Sequence, residues 1–344
     1  MIRRFAPFVV VVALFATACN SDGSRDSAPP DTPTTTSVEA EPTTTSARET
    51  TTATSARETT TTTEPAEDGF PVTINAPNGR VTIERPPARI VSISPTSTEV
   101  LFAIGAGDQV AAVDSMSDFP ENAPVTELSA FTPSVEAIAS FDPDLVFLSF
   151  DPSDIVAGLE AIGIAVILHG TALTMDDAYG QWEQVGTATG HVSEAAALVA
   201  TTTADMLSAF DSLPETSDSV TYYYELGPTL YSATSATFIG GLLAPAGMEN
   251  IADPADTDGF GYPELSAEYI IDADPTLILL ADTKCCGASL DTVAQRPGWA
   301  SMTAVANGNV VELDDDIASR WGPRVVDLVE DVVAAILRLE LTNS

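Results

Sequence analysis

The chain has 344 residues, of which 13 are basic and 50 acidic, so its formal net charge at pH 7 is -37. A surface this acidic repels nucleic acid and anionic lipid, and no nucleic-acid partner is expected. Hydrophobic residues make up 44% of the chain, which is enough to form the cores of two lobes of ordinary domain size.

Residues 1–19 have the features of a targeting segment. Two arginines precede an apolar run from Phe5 to Phe15, which is too short for a comfortable membrane span, and small residues lead into Cys19. The stretch resembles a bacterial lipoprotein signal peptide, in which cleavage leaves Cys19 as a lipidated amino terminus. Ala16 departs from the usual leucine of that pattern, and an ordinary signal peptide with a coincidental cysteine is the alternative.

Residues 20–67 are rich in Thr, Ser, Pro and Glu and contain the string TSARETT twice. They carry almost no large apolar side chains, so burial cannot offset the entropy cost of ordering them. We therefore predict a disordered tether. With Cys19 lipidated, this tether would hold the folded body outside the cytoplasm on the cell membrane.

Residues 68–173 are predicted to form an amino-terminal α/β lobe. The stretch from Phe70 predicts a hairpin with an APNG turn, then a strand at 89–94, a helix and another strand. A helix at about 133–141, a strand at 144–150, a helix near 153–162 and a strand at 164–169 follow. Strands that alternate with helices through short connections indicate a parallel sheet with helices on both faces.

Residues 174–213 interrupt this alternation and are predicted to connect the lobes. Thr174 and Asp177 fit a capping box for a first helix, which Gly190 would end. Ser193 then opens an apolar periodic run that predicts a long helix. About 20 helical residues span ~30 Å, which is enough to cross from one lobe to another.

Residues 214–344 are predicted to form a second α/β lobe. Strands are expected at 220–226, 276–281 and 309–314, and a last helix from Pro323 to Leu339. Residues 134–148 and 266–280 both fit S-x-E-x-I-x-x-x-D-P-x-L-x-x-L, so each half carries the same helix–turn–strand unit. The predicted fold is two α/β lobes, each a mainly parallel sheet flanked by helices, joined by one long rigid connecting helix.

The stretch 87–123, PARIVSISPTSTEVLFAIGAGDQVAAVDSMSDFPENA, resembles the opening of substrate-binding proteins of cobalamin and ferric-siderophore ABC importers. The paired repeats and ATSATFIGGLLAPAGMENIAD at 233–253 extend this resemblance over residues 70–340. It implies a ligand held between two lobes and delivery to a membrane permease, and we expect the protein to be a monomer. It also implies that the glutamates of the two repeats, Glu136 and Glu268, dock onto permease arginines.

Ligands of parallel sheets bind beyond the carboxyl ends of the strands, where aromatic residues recur in this chain. Cobalamin-binding relatives place aromatics at positions resembling Phe119, Phe131, Phe150 and Tyr262, and we add Tyr231. Large planar faces suit a corrin, a porphyrin or a catecholate. Core packing is the alternative for each aromatic.

Arg320, Trp321 and Arg324 surround the predicted start of the last helix, with Gly322 as its N-cap and Pro323 as its first residue. Arginines at a helix amino terminus favour an anion, and siderophore-binding relatives use an Arg in this region. Salt bridges to the Asp314–Asp316 run are the alternative. The arginines favour an iron chelate and the aromatics favour cobalamin.

Cys285 and Cys286 follow the strand of the second repeat and could form a vicinal disulfide outside the cytoplasm. A metal site or a resident cofactor is not expected, because neither His169 nor His191 has ligand spacing. Enzyme motifs are also missing. The alternatives left open are a ferric siderophore or haem in place of cobalamin, and a ligand-sensing surface lipoprotein without a transport role.

Overall fold

The computed structural model describes residues 69–214 and 220–343. The predicted signal peptide, the lipidated Cys19 and the tether at 20–67 lie outside the described residues and stay predictions. No helix in the described part of the chain is both long enough and apolar enough to cross a membrane.

The amino-terminal lobe begins with a hairpin and continues as alternating strands and helices. Its elements are β1 (Val72–Ala76), β2 (Gly79–Ile83), β3 (Ile90–Ile93), α1 (Pro95–Ala103), β4 (Val110–Val113), α2 (Val135–Ala139), β5 (Leu145–Leu148), α3 (Ile155–Ala161) and β6 (Ala165–Leu168). The hairpin strands are antiparallel, and Ala76 pairs with Gly79 across the turn. The four strands of the main sheet are parallel and lie in the order β4-β3-β5-β6.

Two helices connect the lobes, α4 (Met175–Thr189) and α5 (Val192–Asp211). The predicted capping box of Thr174 and Asp177 is confirmed, and Gly190 ends α4 in a left-handed conformation with φ of 85°. The long helix begins at Val192, one residue before the predicted Ser193, because the carbonyl of His191 accepts the first helical bond, from the Ala195 amide.

The carboxy-terminal lobe repeats the alternation with shorter helices. Its elements are β7 (Thr221–Glu225), α6 (Phe238–Leu243), β8 (Glu249–Asn250), α7 (Ala267–Ala273), β9 (Leu277–Leu280), α8 (Thr283–Cys286), α9 (Leu290–Ala294), α10 (Thr303–Ala306), β10 (Val310–Glu312), α11 (Asp315–Ala318) and α12 (Val325–Asn343). Its sheet is also parallel, in the order β10-β9-β7-β8.

The two sheets have the same strand order. Numbered along the chain within each lobe, both read 2-1-3-4, and the repeated string supplies the third strand of each, β5 and β9. The predicted two-lobe α/β fold is therefore confirmed. The residue boundaries of the lobes stay a prediction.

In both repeats the helix begins and ends in the same way. Ser134 and Ser266 cap the helices by accepting a hydrogen bond from a backbone amide three residues later. Asp142 and Asp274 follow the helices with positive φ angles of 50° and 42°. A left-handed Asp directly before Pro ends a helix and turns the chain into the next strand.

One apolar cluster runs through both lobes. Alternate strand residues point to opposite faces, so Tyr222 and Tyr224 of β7 join this cluster whereas Tyr223 joins a separate one. The shared cluster includes residues of β3 and β5, Trp182 of α4, and much of α12. Apolar burial therefore favours one arrangement of the two lobes.

The last helix starts later than predicted. Residues 322–324 form a turn in which the Gly322 carbonyl accepts from the Val325 amide, so the helix begins at Val325 and reaches Asn343. The expectation that Gly322 and Pro323 are its N-cap and first residue was wrong, and Arg324 precedes the helix.

Two adjacent glycines of α6 allow a test of how closely this helix packs against the segment before it. A Cβ on Gly240 would lie 2.2 Å from the carbonyl oxygen of Thr234, whereas a Cβ on Gly241 would meet nothing within 4 Å. We expect Gly240→Ala to lower the free energy of unfolding by about 1–3 kcal/mol. Gly241→Ala should raise it by roughly 0.5–1 kcal/mol. Urea denaturation of the two variants measures the difference, and equal stabilities would contradict the close approach.

Candidate functional site

The loops at the carboxyl edge of each sheet hold most of the predicted ligand-binding residues. Phe119 and Phe131 lie between β4 and α2, and Phe150 lies two residues after β5. Tyr231 follows β7, and Tyr262 lies between β8 and α7. Because all strands of each sheet are parallel, these loops leave the sheets at the edge where α/β proteins bind ligands.

These five aromatic side chains are exposed rather than packed in a core. Phe131 is 69% exposed, and the other four are between 43% and 44% exposed. The rings of Phe131 and Phe150 contact each other with centroids 5.9 Å apart. Tyr231 and Tyr262 lie on two paired segments, in which the Ser232 amide donates to the Pro263 carbonyl at 3.0 Å. The structure therefore brings Phe131 and Phe150 into ring contact and places Tyr231 and Tyr262 on neighbouring segments, whereas Phe119 has no aromatic partner among them.

Phe260 was missed. Its side chain is 76% exposed and its ring centroid lies 6.0 Å from that of Tyr262. The signal in the sequence was the string GFGYP, in which two glycines with positive φ, Gly259 and Gly261, flank the phenylalanine. Such a backbone holds the ring out of the core.

Arg320 and Arg324 are both bound to Glu99, a residue of α1 in the other lobe. Arg324 donates from Nε and Nη2 to the two carboxylate oxygens, at 3.1 and 2.5 Å, and Arg320 donates from Nη1 at 3.3 Å. Glu99 is only 4% exposed. Asp316, in the acidic run considered above, also pairs with Arg320, and Asp118 lies 3.7 Å from it. Sequence reasoning missed Glu99 as the partner.

Gly322 lies against this carboxylate. A Cβ at Gly322 would be 2.7 Å from Oε2 of Glu99. The glycine is therefore required for the close approach of Glu99 and not for capping a helix. Arg324 also stacks on Phe119, with its guanidinium carbon 4.1 Å from the ring centroid.

Trp321 is half-buried and joins α4 to the carboxy-terminal lobe. Its indole Nε1 donates to the Gln181 side chain at 2.8 Å, and its carbonyl accepts from Nε1 of Trp182 at 3.1 Å. Its ring contacts Phe238, with centroids 6.3 Å apart. These contacts give Trp321 a structural role beside any contact with a ligand.

Glu136 and Glu268 are exposed in the first turns of α2 and α7. The pKa of the Glu136 carboxyl is held below its ordinary value, first by a hydrogen bond from the backbone amide of Glu136 itself and then by one from the Ser134 hydroxyl at 2.9 Å. Each glutamate precedes the third strand of its lobe, so the two occupy equivalent positions. This equivalence is what docking onto a two-fold related surface requires, and docking stays a prediction.

Cys285 and Cys286 lie in α8, directly beyond β9, with their sulfur atoms next to each other. Both residues are exposed. Asp315 holds this turn by accepting hydrogen bonds from the backbone amides of Lys284 and Cys285, at 3.0 and 2.7 Å. The turn is thus tied to the acidic run that also reaches Arg320.

A buried acidic pair at the carboxyl ends of β7 and β9 was not predicted. Glu225 is fully buried and receives two hydrogen bonds of 2.6 Å from Arg296. Asp282 is 1% exposed, and its Oδ1 has no hydrogen-bond partner. Burial, and then the charge of Glu225, raise the pKa of Asp282 to about 6.

The comparisons with known proteins agree with this architecture. The family model described as periplasmic binding protein matches residues 90–317, from the first residue of β3 to Ile317 in α11. The chain belongs to the periplasmic binding protein family. An uncharacterized ABC transporter substrate-binding lipoprotein of Bacillus subtilis is 30% identical over 278 residues, which cover 78% of this chain and 86% of that protein.

Two further relatives are named for the ligands that they bind. A cobalamin-binding protein of Halobacterium salinarum is 32% identical over 75% of this chain and 72% of its own length. The solved structure of a periplasmic heme-binding protein from Roseiflexus, in its apo form, is 25% identical with a TM-score of 0.63, over 72% of this chain and 97% of that one. This family consists of extracytoplasmic binding proteins that work with ABC importers, and these relatives are binding proteins rather than enzymes.

The pH dependence of the protein's stability tests the raised pKa of the buried Asp282. The folded pKa of Asp282 is about 6 against an ordinary value of 3.8, so between these values the unfolded chain releases the proton first and stability falls as pH rises. We expect Asp282→Asn to lose less thermal stability than wild type between pH 4 and pH 6. Melting temperatures across this range measure it, with the exposed Asp258→Asn as control. Parallel curves would contradict the raised pKa.

Proposed function

We propose that this protein captures cobalamin between its two lobes and delivers it to an ABC permease. The observation that carries the proposal is the set of exposed aromatic side chains at the carboxyl edges of both sheets. Rings that are more than 40% exposed in a chain with well-filled cores are available to cover the face or edge of a large ligand.

Charge supports cobalamin over an anionic chelate. The two arginines that would attract the carboxylates of haem or of many siderophores already bind Glu99. Cyanocobalamin carries amide side chains and no net charge, so it needs no free arginine. The 32% identical cobalamin-binding relative supports the same choice.

Haem remains a second candidate because of Tyr231 and Tyr262. Both tyrosines are exposed and a phenolate can bind ferric iron. The heme-binding relative from Roseiflexus supports this alternative through its fold and its 25% identity.

The proposal also includes attachment to the cell membrane. A lipid on Cys19 and a tether of residues 20–67 would keep the binding protein near its permease while the lobes remain free to meet it. A chain with this attachment and without a permease would be the ligand-sensing lipoprotein considered above.

Isothermal titration calorimetry of the full chain with cyanocobalamin tests the ligand. We expect saturable binding, weakened about tenfold by Phe150→Ala or Tyr262→Ala, since an aromatic contact contributes about 0.5–1.5 kcal/mol beyond its buried area. Ile162→Ala is the matched control, because Ile162 is 55% exposed but lies before β6, at the opposite edge of the sheet. If the protein bound haemin and not cyanocobalamin, haem would replace cobalamin as the proposed ligand. If it bound neither compound, the proposal that it captures such a ligand would be contradicted.

Delivery is tested by the two repeated glutamates. We expect Glu136→Ala and Glu268→Ala each to reduce cyanocobalamin uptake by cells that depend on this importer, while leaving the affinity of the purified protein unchanged. The double variant should reduce uptake further, because each lobe would supply one contact. Exposed Glu121→Ala is the control. Unchanged uptake by the double variant would favour the ligand-sensing alternative.

A further inference from the structure

We propose that Glu99 is a specificity-determining residue, whose carboxylate occupies Arg320 and Arg324 and thereby excludes anionic chelates from the ligand site. The proposal rests on the proposed function in placing these arginines beside the ligand. It goes beyond that function by naming the residue that selects ligands without carboxylates.

Glu99 occupies the arginines in the way a ligand carboxylate would. Nε and Nη2 of Arg324 point to the two oxygens of Glu99, which is the forked geometry by which arginine recognises carboxylates. Arg320 adds a third hydrogen bond to Oε1 from within the same lobe as Arg324. The side chain of α1 therefore acts as an internal substitute for an anionic group.

Arg324 lies where a ligand could reach it, whereas Arg320 is buried behind it at 9% exposure. Arg324 is 16% exposed at its side chain and stacks on Phe119, which is 43% exposed and belongs to the predicted aromatic set. A pocket of about 190 Å³ opens beside Arg324, and its lining includes Glu99, Phe102, Phe119, Pro120 and Pro323. Without Glu99, a carboxylate that entered this pocket would meet an arginine.

Displacement of Glu99 by a ligand would be costly. Its side chain is 3% exposed, and the Gly322 backbone closes one side of the carboxylate. A competing anion would leave Glu99 buried as an unpaired charge, which proteins avoid. An amide-bearing ligand makes no such demand. The exclusion therefore acts against ligands whose anionic groups would have to take the arginines from Glu99.

Citrate is a probe that reports on this exclusion whatever the natural ligand is. We expect Glu99→Gln to bind citrate at least about tenfold more tightly than wild type in calorimetry, because two charged donors lose their carboxylate partner. Glu84→Gln makes the same change of net charge at an exposed position directly after the hairpin and should bind as wild type does. Glu99→Gln combined with Arg324→Gln should return citrate affinity towards the wild-type value.

Cyanocobalamin, measured on the same samples, separates this inference from the proposed function. Tighter citrate binding by Glu99→Gln without cyanocobalamin binding by wild type would support the exclusion and overturn the choice of ligand. Citrate affinity equal to that of wild type in a cooperatively folded Glu99→Gln would overturn the exclusion. Should that variant not fold, Glu99→Asp decides, since it keeps the charge and withdraws the carboxylate by one methylene. An unchanged citrate affinity in Glu99→Asp would then overturn the inference.

Discussion

The buried carboxylate of Glu99 is the polar interaction on which the relation between the two lobes depends. It lies on α1 of the amino-terminal lobe and receives hydrogen bonds from two arginines of the carboxy-terminal lobe. Burial of a charge is costly unless its partners are well placed, so the ion cluster stabilises one arrangement of the lobes and disfavours others. Gly322 makes the arrangement possible, because any side chain there would collide with the carboxylate.

Apolar packing acts in the same direction as this charge cluster. A continuous core joins one face of both sheets through Trp182 and α12, and Trp321 adds hydrogen bonds to α4. Lobes held by both kinds of contact would keep Glu136 and Glu268 at a fixed separation, as docking onto two permease subunits requires. The same contacts leave Phe131, Phe150, Tyr231 and Tyr262 exposed, whereas Phe119 stacks on Arg324 and so lies beside the ion cluster that joins the lobes.

Much of the fold could be predicted because its signals are local. Strand runs such as VTYYYEL alternate between two cores, and Thr174 and Gly190 mark the ends of α4 by capping chemistry that involves only neighbouring residues. The repeated string predicted one equivalent strand in each lobe, whereas the two-residue strand β8 carries too short a signal and was not predicted. The predicted start of α12 was wrong, because a glycine and a proline before an apolar run fit a helix cap and a turn equally well.

The sequence by itself determined two α/β lobes, the helices between them, and which aromatic and acidic residues follow strands or open helices. Each of these depends on side-chain periodicity or on contacts within a few residues. Only the tertiary structure decided that Arg320 and Arg324 bind Glu99, more than 220 residues earlier in the chain. Only it decided that Asp282 is buried beside Glu225. Charge pairing and burial depend on distance in space, which no local pattern records.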